Sequence, residues 1–139
     1  MPSEVNGTEF PDEKEADEPD RRTALVALWR MSRPAQLALI GLVYALGVAM
    51  ALGRGATVEP ASVGIGLAAL LPVAASVHYV NEYADAETDA LTDRTPFSGG
   101  SGALTETGLP RRLALRAAIA SGTLGVTLIV WPVIPLGGE

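Results

Sequence analysis

Asn81, Asp85 and Asp89 recur at intervals of four within HYVNEYADAETDALTDRTPFSGGSG, the stretch from His78 to Gly102. On an α-helix, at about 100° per residue, the three fall within roughly 80° of one another, while Glu87 points to the far side. Carboxylates crowded on one face repel each other, and a bound cation relieves that repulsion. Two Asp carboxylates and an Asn carbonyl form an all-oxygen set suited to Mg²⁺, which takes few protein ligands and fills its remaining positions with water and phosphate oxygens. An EF-hand does not fit: with Asp85, Glu87 and Asp89 as positions one, three and five, Ala90 stands where Gly is needed and Pro96 where the bidentate Glu belongs. The plainer alternative is a solvated acidic helix end, since a fourfold spacing of short polar residues is a degenerate pattern.

Position gives the pattern its weight, because the acids follow directly on an apolar run. Three stretches carry no charged residue for 20 positions or more: Pro34 to Gly53, Pro60 to Asn81 and Ala117 to Gly138. At about 1.5 Å per residue each can cross a hydrocarbon core of roughly 30 Å. Buried helices of a soluble protein normally keep a polar stripe, which these runs lack. The fold class expected is therefore all-α, a polytopic membrane protein with three transmembrane helices. Small residues, as in SVGIGLAALLPVAASV, suit close helix approach in lipid, and Pro72 is expected to kink the second span.

Nine arginines set the expected topology. Arg21, Arg22, Arg30 and Arg33 precede the first span, Arg54 alone lies between the first two, and Arg94, Arg111, Arg112 and Arg116 lie between the second and third. The positive-inside rule then places the amino terminus and the loop 82–116 in the cytoplasm of a protein of the cell membrane, with Trp29 and Trp131 near the interfaces. Helix is expected to continue from the second span to about Asp93, where Pro96 and SGGSG stop it, and to restart near Gly108 with Pro110 in its first turn. Between them a Gly-rich loop should lie against the membrane surface. Residues 1–22 read as a disordered acidic tail, the first twenty holding eight acids against Lys14 alone, which is the reverse of a signal peptide. Residues 23–139 form the membrane region. The absence of cysteine excludes disulfides and thiolate chemistry, and no basic stripe interleaved with aromatics points to nucleic acid.

NEYADAETDALTDRTPFSGGSGAL resembles the first aspartate-rich region of the UbiA superfamily of intramembrane prenyltransferases, whose motif is Asn-x-x-x-Asp-x-x-x-Asp at the end of the second helix. The Ser-Gly-Gly-Ser-Gly continuation is similar to members related to menaquinone-pathway enzymes, and SRPAQLALIGLVYALGVAMA resembles the family's first helix with its Arg33-Pro34 entry. The resemblance covers roughly residues 29 to 136. It implies Mg²⁺-dependent transfer of an isoprenyl group from a prenyl diphosphate to an acceptor, an aromatic quinone precursor being the first expectation. Carried over by position, Asn81, Asp85 and Asp89 would hold Mg²⁺, and Arg94 would contact the diphosphate; no catalytic residue is assigned. Gly99, Gly100 and Gly102 could bring backbone N–H groups to phosphate or serve as a plain connector. His78 shares the face of Asn81 and reads first as a hydrogen-bonded bundle residue; Arg33 reads as an interfacial anchor.

Members of that family have about nine spans in two halves, with a second aspartate motif facing the first. The chain reads as the amino-terminal portion: a truncated product, one part of a split enzyme, or a unit completed by a second chain that supplies the missing helices. The competing function is a small non-enzymatic membrane protein that binds divalent cations or a partner subunit through its acidic loop. A transporter fragment fits less well, because no ionisable residue falls at the middle of any span.

Overall fold

The computed structural model describes residues 20–89 and 101–131, the side chains at 87–89 apart. These residues form five helices: α1 (Arg21–Met31), α2 (Pro34–Gly53), α3 (Pro60–Asp89), α4 (Ala103–Thr107) and α5 (Arg112–Val130). No strand occurs among them. α2, α3 and α5 are each long and apolar enough to cross a membrane, so the chain is an all-α membrane protein with three spans.

The turn between α2 and α3 is closed by backbone geometry. Gly55 N–H donates to Leu52 O at 2.9 Å and Ala56 N–H to Ala51 O at 3.1 Å, the paired bonds of a Schellman stop. That stop requires positive φ at Gly55, which adopts 83°. At its other end, α2 begins differently. Arg33 is the one non-glycine described residue with positive φ, at 52°, and it both ends α1 and precedes Pro34 at the start of α2. A residue before proline is disfavoured in the right-handed helical region, and a left-handed non-glycine residue costs about 1–2 kcal/mol. The Arg33 side chain has a use that glycine could not supply, described below.

α3 and α5 make the tightest pair. A Cβ built on Gly125 would come within 2.7 Å of Ala69 O, so only glycine admits this approach. Ala69 of α3 and Ala118 of α5 are buried as well. Small residues here replace the hydrophobic drive that is missing between helices in lipid. α2 contrasts with this pair: it has no buried residue, and Tyr44 fastens it to α3 by donating to Val63 O at 3.0 Å. Pro72 lies inside α3, which continues through it.

The buried apolar cluster sits at one end of the bundle. Ala27 and Met31 of α1 pack with Ala103, Leu104, Leu109 and Ala114, against Tyr79 and Tyr83 of α3. α1 and α4 thus cap the end at which α2 and α5 begin and α3 finishes. α3 is 30 residues long, about 45 Å, so roughly ten of its residues stand beyond a 30 Å hydrocarbon core.

Three expectations shift. The loop 101–108 is not featureless, since α4 occupies it. Gly108, at φ 66°, ends α4 instead of starting the next helix. The third span begins at Arg112, five residues before the uncharged run, because arginine stems can lie along the helix while their guanidiniums reach water. Residues 1–19 of the acidic tail, residues 90–100 and the last eight residues lie outside the described part.

Candidate functional site at the polar end of the bundle

α3 is unbroken from Pro60 to Asp89, so the fourfold spacing becomes a stripe on one helix. Asn81 and Asp85 lie one turn apart, both exposed. Neither has a hydrogen-bond or ion-pair partner among the described residues. Asp89 is the last residue of α3; its side chain, together with Arg94, Gly99 and Gly100, lies outside the described part. Gly102 is described, in a left-handed conformation with φ 67° that starts α4, and its carbonyl accepts from Glu106 N–H at 3.0 Å.

Directly beside this stripe the chain builds a second polar group that the sequence reading passed over. Glu82 is 4% exposed. Its carboxylate accepts from Ser101 N–H at 2.6 Å, from Ser101 Oγ at 2.8 Å and from Arg33 Nη2 at 3.2 Å. These donors are what make burial of a carboxylate tolerable. The left-handed turn at Arg33 is held by this same ion pair, so Arg33 points inward to Glu82 and is not only an anchor in the interface.

Ser101 is the hinge point of the group. Its carbonyl accepts from Arg30 Nη2 at 3.2 Å, and Arg30 Nη1 reaches Glu106 at 2.6 Å. Arg30 therefore grips α4 at both ends, while Glu82 holds its leading turn from below. The Glu106 hydrogen bond pushes the Arg30 guanidinium further up, so the cation is present at any ordinary pH. The pair is about half exposed, which keeps its contribution to stability below about 1 kcal/mol.

His78, one turn before Glu82, has a buried Nε2 without a hydrogen-bond partner among the described residues. The expected hydrogen-bonded bundle histidine is thus not what this nitrogen shows. Tyr79 next to it donates to Leu28 O at 3.2 Å, fixing α1 on α3.

On the helical wheel Glu82 stands about 60° from Asp85, so the buried carboxylate borders the exposed stripe. Chemically, the end of the bundle offers oxygen ligands to solvent and keeps a fixed arginine-carboxylate lattice beneath them. A signal for Glu82 existed in the sequence: it is the first charge after a 22-residue uncharged run, seven residues after the buried Ala75 on the same face. Arg33, placed 49 residues earlier, could be assigned to it only from the fold.

No protein-family model, curated protein or solved structure matches the chain. The motif and the geometry around it therefore carry the functional reading.

Proposed function

We propose that the chain is part of a Mg²⁺-dependent intramembrane prenyltransferase, which moves an isoprenyl group from a prenyl diphosphate to an aromatic acceptor of the quinone-precursor type. The observation that carries the reading is the exposed pair Asn81 and Asp85, without a partner among the described residues, on a helix that extends out of its membrane span to Asp89. All-oxygen donors, free of competing partners and placed at lipid-headgroup depth, fit a hard cation better than a soft one.

In this reading Asn81, Asp85 and Asp89 hold Mg²⁺, and Arg94 meets the diphosphate. When bound, the ion would offset the charge that develops on the departing diphosphate. The chain's own residues prepare for it: Glu82, Arg33 and Ser101 hold the carboxyl end of α3 rigid against α4, so the ligands need no reordering on binding. Arg30 adds a fixed positive charge on the same end. The prenyl chain lies along the spans, where Leu39, Ile40, Val43, Tyr44 and Leu70 line an apolar recess of about 470 Å³ between α2 and α3. Full enclosure of the chain requires more helices than three, which an associated chain would supply against the exposed sides of α2. The polar end faces the cytoplasm of the cell membrane, in keeping with seven described arginines at that end and Arg54 at the other.

The test is calorimetric titration of the purified chain in detergent with a prenyl diphosphate, with and without Mg²⁺, followed by an assay for transfer to aromatic acceptors. Binding that requires Mg²⁺ is the expected result. Metal binding that diphosphate does not strengthen would favour the other reading, a non-enzymatic membrane protein that holds divalent cations or a partner subunit.

A further inference from the structure

Away from the acidic stripe, α1 and α5 enclose a recess of about 390 Å³ lined by Ala24, Leu109, Pro110, Arg112, Leu113 and Arg116. Four of these residues are apolar, and the two arginines stand one helical turn apart on α5. Both arginines are exposed, and neither has a hydrogen-bond or ion-pair partner among the described residues. Of the other arginines of this end, Arg30 and Arg33 are engaged by carboxylates and Arg111 stacks over Tyr83 at 5.2 Å, while Arg21 and Arg22 at the start of α1 are exposed like Arg112 and Arg116 but do not line this recess. Two like charges at i and i+4 repel, so leaving them together without a counter-charge costs stability unless an anion sits between them.

We propose that this recess binds an anionic phospholipid, its phosphate between Arg112 and Arg116 and the upper part of an acyl chain against Leu109, Pro110 and Leu113. Three observations select a lipid over a soluble anion. The arginines occupy the first turns of a membrane-spanning helix, which is headgroup depth. The recess is more apolar than a site for a free phosphate needs to be. On α1, the residues after Ala24 expose Leu25, Val26 and Trp29 at 61%, 51% and 66%, an apolar flank that only lipid or another apolar surface would cover favourably. Two cations beside the phosphodiester favour a headgroup of net negative charge and are opposed by the choline cation of a zwitterionic one, which gives the site its preference.

The site differs from the proposed diphosphate site in both position and ligands, so it stands or falls separately. The experiment is native mass spectrometry of the full chain in detergent, titrated with phosphatidylglycerol or phosphatidylcholine. Phosphatidylglycerol should be retained preferentially. The double variant R112Q/R116Q should weaken it by about thirtyfold, taking about 1 kcal/mol for each arginine near a phosphate surface. R112K/R116K keeps the charges and should retain most of the binding, and R54Q, at the opposite end of the bundle, should leave it unchanged. Equal retention of both lipids, or undiminished phosphatidylglycerol binding in R112Q/R116Q, would overturn the proposal. Inorganic phosphate that binds alone with the same dependence on the two arginines would also overturn it, in favour of a soluble phosphate ligand.

Discussion

Glu82 and Asp85 stand three residues apart on the same helix and carry the same charge, yet they belong to different regions of the molecule. Glu82 lies under α4 and receives three donors; Asp85 is exposed and has none among the described residues. The difference comes from a rotation of about 60° around α3. That rotation separates a face covered by α1 and α4 from a face that no described residue covers, so an acidic run that looks uniform in sequence divides into a structural part and an available part. A buried carboxylate already occupied by three donors has little ligand capacity left to give, whereas an unsatisfied one gains by acquiring a cation.

The largest effect is expected where the buried region is broken. Glu82→Ala removes the acceptor for both Ser101 donors and one partner of Arg33, and loss of one side of a buried pair costs about 3 kcal/mol. Thermal unfolding in detergent, followed by Trp fluorescence, should show a large drop in Tm. Mg²⁺-dependent diphosphate binding should also weaken in the folded protein, because the end of α3 that carries Asn81 and Asp85 loses its support. A variant that keeps wild-type stability would contradict the assignment of Glu82 to the structural region.

In the exposed region the order should invert. Asp85→Asn removes no described hydrogen bond, so stability should hold, or rise by about 0.2–0.5 kcal/mol through relief of repulsion along the stripe. Mg²⁺-dependent binding of a prenyl diphosphate should instead fall by about 10–100-fold, with Asp89→Asn behaving alike and Glu87→Gln, at a far-side helical position, close to wild type. Titration of the three variants side by side decides the matter. Equal losses at 85, 87 and 89 would mean that net charge attracts the ligand and that no one-sided metal site exists.

Much of this division lay beyond the sequence for a specific reason. The three spans were legible because uncharged length is a local property: α2 matches the run Pro34 to Gly53 residue for residue. The stripe was legible because it depends only on helical periodicity. The Glu82 lattice joins residues separated by 49 and 19 positions, Arg33 and Ser101, and no local pattern reports such pairings. α1 and α4 escaped notice similarly. Their burial is supplied by each other and by α3, and α4, with five residues between two left-handed glycines, has no periodicity long enough to read. Arg33 shows the same limit in one residue, since its positive φ is explained by the carboxylate its side chain reaches.

Glu59, at the opposite end of the bundle, gives the smallest effect and a third case between the other two. It is exposed, but its carboxylate is used: Ser62 Oγ donates to it at 2.8 Å, Ala61 N–H at 3.0 Å and Ser62 N–H at 2.6 Å, so it caps the first turn of α3. Donation by the Ser62 hydroxyl, and then by the two amides, holds its carboxyl below the usual glutamate range. A depressed folded-state pKa means that the charged cap stabilises α3 above the unfolded value of about 4.3 and that this contribution is lost as pH falls through the lower folded value. Glu59→Gln should therefore lower the Tm slightly at pH 7, and the gap to wild type should close on acidification below that range. A gap that persists unchanged in acid would show that the side chain acts there through its shape or its remaining hydrogen bonds. Exposure alone would then be a poor guide to whether a carboxylate in this chain is free to bind a cation, and the availability of Asp85 would have to be judged by its missing partners.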